Sequence, residues 1–243
     1  GMITNSAASG TATITIGSAN TSGYFTGTIL DGATAALRII KAGTGTQSLT
    51  GVNTFSGLQI NAGTVAFALP AGTTTWNAGA NSPVGPGTSA GSLIFNGGTL
   101  QYTGSGAIFS ETQTPSITTD REFTLAGNGT IDSSGRFGNN ILVSGGANNA
   151  ALVWTNTNDL TFSGSATART LTLTGDSTGD NELRAHLVNN GAGALSFTKA
   201  GAGLWLLNPS SSNVHSGATT VTGGALQVLP STAAVQGLSA NSN

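Results

Sequence analysis

The stretch KAGTGTQSLTGVNTFSGLQINAGTVAF at Lys41–Phe67 returns, with heavier side chains, as KAGAGLWLLN at Lys199–Asn208 followed by VHSGATTVTGGALQV at Val214–Val228. Laid on one another, Lys41, Gly43, Gly45 and Leu49 fall on Lys199, Gly201, Gly203 and Leu207. A short insertion then brings Asn53, Ser56 and Gly57 onto Asn213, Ser216 and Gly217, and one further residue brings Gly63 onto Gly224. The apolar pattern follows, with Ile60, Val65 and Phe67 matching Val221, Leu226 and Val228. The offset that carries Lys41 onto Lys199 also carries Leu37 onto Leu195 and Phe25 onto Leu183 without a gap. Duplication on this scale favours an architecture that accepts added units, because stacked coils lengthen a solenoid whereas they would overfill a closed sandwich.

The rest of the chain is short period-2 runs punctuated by Gly and Asn. Ile14/Ile16, Tyr24/Phe25, Ile29/Leu30 and Leu37/Ile39 precede the first block. Leu93/Phe95, Leu100/Tyr102, Phe123/Leu125, Leu152/Trp154, Leu160/Phe162, Leu171/Leu173 and Leu195/Phe197 follow it. Sustained 3.6-residue periodicity is absent, so the fold class is all-β. Such spacing fits an antiparallel sandwich or barrel as well as a parallel β-solenoid, and Asn-Gly turns mildly favour hairpins. Very short runs, Gly and Asn recurring at corners, and the duplication favour the solenoid. At about 20–25 residues per three-strand coil the chain would make about ten coils, a rod about 50 Å long at about 4.8 Å per strand. We expect one β-helical segment over 1–243, with a surface loop at 70–91 that holds three of the six prolines. Gly1-Met2 reads as a cloning remnant and 231–243 as the start of a further unit, so the segment is expected to be part of a longer chain.

Composition narrows the function. Charged residues are 7% of the chain while hydrophobic residues are 37%, which is enough to build a core and leaves a surface of Thr, Ser, Asn and Gly. Seven scattered basic residues and a net charge of −2 exclude an electrostatic nucleic-acid surface. No run of the length needed for a membrane-spanning helix occurs. The absence of cysteine excludes disulfide frameworks and thiolate metal sites, and is compatible with export of an unfolded chain.

The two blocks resemble the autotransporter-associated β-strand repeat, also called the passenger-associated transport repeat. The first carries Lys41, Gly43, Gly45, Leu49, Gly51, Asn53, Phe55, Gly57, Ile60, Gly63 and Val65 of that pattern. The second carries Lys199, Gly201, Gly203, Trp205, Leu207, Asn213, Gly217, Thr220, Val221, Gly224 and Leu226. It departs at Pro209, where Gly is usual, and at His215, where an aromatic is usual. Segments between the blocks, such as FNGGTLQYTG and REFTLAGNGTID, resemble what such proteins place between repeats. The resemblance implies a right-handed parallel β-helix from a secreted or surface-displayed bacterial protein, with an outer-membrane translocator elsewhere in the parent chain. It brings no catalytic residues.

Each remaining candidate also has a plainer reading. Gly87-Thr88-Ser89-Ala90-Gly91 fits G-x-S-x-G by letter, but a nucleophile elbow needs a strand before the Ser and a helix after it, and SLIF follows. Asp176, Asp180 and Glu182 offer oxygen ligands of the kind calcium takes, at a spacing foreign to an EF-hand, and read as solvated turn acids. Asp120, Arg121 and Glu122 supply the carboxylates a glycan-cleaving β-helix would need, or a solvated corner. His186 and His215 lack further metal ligands. Trp76, in the 70–91 loop, is the candidate glycan contact, or else a cover for the rod's flank. Lys41 and Lys199 are expected to lay their stems along a corner with the ammonium in water. Taken together these point to a non-enzymatic stalk or adhesion scaffold without cofactor. Its partners would be host or matrix glycans or surface proteins, and the alternatives are a glycan-binding module at Trp76 or a polysaccharide-processing β-helix.

Overall fold

The computed structural model describes residues 1–70, 73–105, 116–136 and 150–229; the expected further unit at 231–243 lies outside them. Among the described residues every strand ladder is parallel, and the only helical element is a three-residue 3₁₀ turn at Ala90–Ser92. The chain visits three sides in a fixed order. Thr11–Ile16 lies in a six-stranded sheet, Gly23–Phe25 in an eight-stranded sheet, and Thr28–Leu30 pairs with Met2–Thr4 on the third side. The cycle then returns to Ala36–Lys41 in the six-stranded sheet and Thr46–Leu49 in the eight-stranded one. Further along it runs Leu93–Phe95, Thr99–Ser105 and Ile117–Thr119, the last opening a five-stranded sheet on the third side. This is a parallel β-solenoid, in which each strand pairs with the strand one coil away.

The alternation visible in the sequence sets which residues face the axis. Leu37, Ile39, Phe95, Leu100, Tyr102, Leu125, Leu152, Trp154, Leu171, Leu173, Leu195 and Phe197 are all buried in one continuous cluster. Coil-to-coil register stacks them: Val65 pairs with Leu100, Leu100 with Ile131, and Ile131 with Leu173. Each such side chain contributes about 1.5–3 kcal/mol on burial. In the middle coils the column is aromatic, Tyr102, Phe67, Trp76, Trp154, Phe123 and Phe95 standing ring to ring at 4.8–5.6 Å between centroids.

Coil length varies more than the expected 20–25 residues. Coils are short in the repeat blocks, where Thr46 pairs with Thr64, and long between them, where Gly129 pairs with Leu171. The two blocks are also out of phase with the sheets. Ala36–Lys41 and Gly57–Ile60 belong to the six-stranded sheet, with Thr46–Leu49 and Thr64–Leu69 in the eight-stranded one. Their counterparts Leu195–Lys199 and Thr219–Val221 belong to the eight-stranded sheet, with Leu204–Leu207 and Ala225–Val228 in the five-stranded one. The motif has moved round the axis by one side.

Candidate functional site

Where one strand turns the corner into the next, each block places a lysine in phase with the core. Along Ala36–Lys41 the buried positions are Leu37, Ile39 and Lys41, so the lysine stem continues the apolar column. Its Nζ curls back to the corner and donates to the carbonyl oxygens of Ala42 (2.6 Å), Gly43 (2.8 Å) and Ala62 (3.3 Å). Lys199 does the same with Ala200 (2.6 Å), Gly201 (3.0 Å) and Gly223 (3.0 Å). Both residues are 0% exposed, and burial pulls both ammonium groups below the ordinary lysine pKa. The expected ammonium in water is therefore corrected: corner carbonyls that no strand can pair take all three donors.

The corner works only because the backbone turns through the left-handed region, with Gly43 at φ 65° and Gly201 at φ 70°. Gly63 and Gly224 repeat it at φ 62° on the next coil. Gly45 and Gly203 are required for closeness instead, since a Cβ would stand 2.2 Å and 2.3 Å from the carbonyls of Thr21 and Ser177 one coil below. A Cβ at Gly57 would meet the side chain of Arg38 at 3.1 Å, and one at Gly217 the carbonyl of Leu195 at 2.4 Å.

A second fastening uses the asparagines. Asn53 Oδ1 accepts from the Ile29 amide at 2.7 Å and its Nδ2 donates to the Pro83 carbonyl, while Asn213 Oδ1 accepts from the Leu187 amide at 2.7 Å. Sequence reading missed a third. Asp31 Oδ1 accepts from the amides of Leu37 (2.6 Å) and Ser56 (3.1 Å), and Asn189 Oδ1 accepts from those of Leu195 (3.0 Å) and Ser216 (2.9 Å). Residue 31 falls on 189 by the offset that aligns the lysines. The pair escaped notice because an acid and an amide look different as letters, although both offer the same acceptor oxygen.

The remaining candidates are placed as follows. Trp76 is 1% exposed, packed against Phe67 and Trp154, with the Arg121 guanidinium 4.7 Å from its ring centroid. No face is left for a sugar to stack on, so the expected glycan contact is corrected to a core residue. The 70–91 loop is likewise part interior, with Ser82 and Val84 buried. Arg121 is 1% exposed; it donates to Ala80 O at 2.8 Å and to the carbonyl of Trp76, and burial lowers its pKa to about 10. It pins the loop to the coil and offers nothing to a glycan-cleaving centre. Asp120 caps the loop by accepting from the Ala78 amide at 2.7 Å. Ser89 has Ser92 as its side-chain partner at 3.3 Å. Glu182 is held by Arg184 at 2.8 Å and by Asn208 at 2.6 Å. Among the described residues no three His, Asp or Glu converge as a metal site. His186 and His215 lie on successive coils, the His215 amide donating to Leu187 O at 3.1 Å.

The family model of the passenger-associated-transport-repeat matches residues 39–67 and 197–228. The chain thus carries two passenger-associated transport repeats, and each matched block is one lysine corner with its asparagine fastening and the strands on either side. It is 38% identical over 209 residues to the adhesin BmaC autotransporter of Brucella suis biovar 1 (strain 1330). That match covers 84% of this chain and 5% of the adhesin, so the chain spans a small fraction of its relative's length. No solved structure matches. A chain built this way is extracellular or displayed at the cell surface.

Proposed function

We propose that this segment is a non-enzymatic scaffold within the passenger of an autotransported bacterial surface protein, a stalk that holds adhesive parts away from the cell. The observation that carries the reading is where its polar chemistry is spent. In both blocks Lys, Asn and Asp/Asn side chains are turned onto backbone groups of the same or the neighbouring coil. In this reading the corner glycines and the Lys and Asn of each block serve the coil itself. Each coil touches only its neighbours, which suits stepwise folding outside the cell. A translocator domain elsewhere in the parent chain, and host glycans or surface proteins as partners of its other parts, belong to the same reading. The test is a swap in the parent protein, replacing this segment with an unrelated β-solenoid of equal length. Surface display and adhesion should both survive. Loss of adhesion with display intact would overturn the reading and assign binding to the segment.

A further inference from the structure

Among the core positions at which the second block differs from the first, one gains a titratable side chain. Phe55, 1% exposed, is replaced by His215, 0% exposed, in the same place of the repeat. His215 Nε2 lies 3.0 Å from Thr219 Oγ1, and its backbone amide donates to Leu187 O at 3.1 Å, which fixes it one coil above His186. His186 is itself wedged between coils. Its Nδ1 stands 2.6 Å from Asp159 Oδ1 below and its Nε2 meets the carbonyl of Ser212 above. The titratable group that acts on His215 is His186, whose ring is held in turn by Asp159, which is mostly exposed.

We propose that buried His215 is an acid-sensitive latch that loosens the C-terminal repeat coil on acidification while the Phe55 coil stays closed. A proton added to His215 puts a charge into an apolar column beside a second imidazole, and a buried charge is costly unless paired. Burial first, and the neighbouring His186 second, hold the His215 pKa below the ordinary imidazole value. The folded state thus prefers neutral His215, while the opened chain takes the proton near pH 6.5. Stability from this residue is complete above about pH 6.5 and is lost as pH falls toward the depressed folded value. No such term exists at Phe55, so the chain carries its own control.

Hydrogen exchange by mass spectrometry at pH 7.5 and 5, corrected for intrinsic rates, reads this directly. Protection at Thr219–Val221 and Ala225–Val228 should fall on acidification, by up to about tenfold per pH unit below 6.5. Gly57–Ile60 and Thr64–Leu69 should hold. His215→Phe should abolish the acid loss, and His186→Gln, which removes the neighbouring imidazole, should reduce it. Equal acid loss in both blocks, or acid loss surviving in His215→Phe, would overturn the latch and leave the scaffold reading untouched.

Discussion

Replacing Lys199 with Met tests whether the corner ammonium fastens the coil. Methionine keeps the stem's length and apolar packing and removes only the donor, so three carbonyls, those of Ala200, Gly201 and Gly223, lose their partner together. A buried acceptor left unpaired costs about 1–3 kcal/mol. Two effects offset part of that sum: water can reach some corner oxygens, and the desolvation that lowers the lysine pKa is relieved. A net loss of about 2–4 kcal/mol remains, worth about 5–10 °C in melting temperature for a chain of this size. Because a solenoid's stability is a sum over neighbouring coils, the loss should be local as well. Scanning calorimetry would give the total, and hydrogen exchange should show protection falling at Leu204–Leu207 and Thr219–Val221 while Thr99–Ser105 is unchanged. Lys41→Met should give the mirror result in the first block. A Lys199→Met protein within about 0.5 kcal/mol of wild type, the range of ordinary surface substitutions, would mean that the ammonium contributes nothing, and the fastening account would fail.

Three further outcomes are expected. Leu173→Asp places an unpaired carboxylate in the buried column and should be severely destabilising, by several kcal/mol, whereas Thr172→Asp on the outward face should cost under about 1 kcal/mol; similar melting temperatures would show the inward assignment to be wrong. Gly43→Ala meets both a φ of 65° and a Cβ 2.0 Å from the Gly17 carbonyl, while Gly10→Ala meets a φ of 90° in open space. The second should cost about 1–2 kcal/mol and the first clearly more by denaturant titration. Trp76→Ala should cost about 3–5 kcal/mol as a core cavity and release the loop that Arg121 holds, seen as new proteolytic cleavage within 73–89; an unchanged melting temperature would return Trp76 to the surface.

Much of the architecture could be read from the residues alone. Period-2 alternation is a local property of each strand, so the inward set from Leu37 to Phe197 was legible, and so were the duplicated glycines at the corners. Even Lys41 carries its signal, since it sits in phase with Leu37 and Ile39, although an ammonium ordinarily stays in water. The Asp31–Asn189 pair was hidden by a change of letter at constant chemistry.

Other features depended on which coil lies above which. The sheet a block joins is set by how many strands the intervening chain makes, and nothing inside Lys41–Phe67 or Lys199–Val228 counts them, so the displacement of the motif by one side of the rod appears only in three dimensions. The same holds for Trp76 and Arg121, which meet across more than forty residues because the loop folds back over a coil not yet made when Trp76 is reached along the chain. Sequence decided what faces inward, because side-chain direction follows from the pleat of each strand. Tertiary structure decided what each inward group touches, because a contact between coils is fixed by the length of chain wound between them.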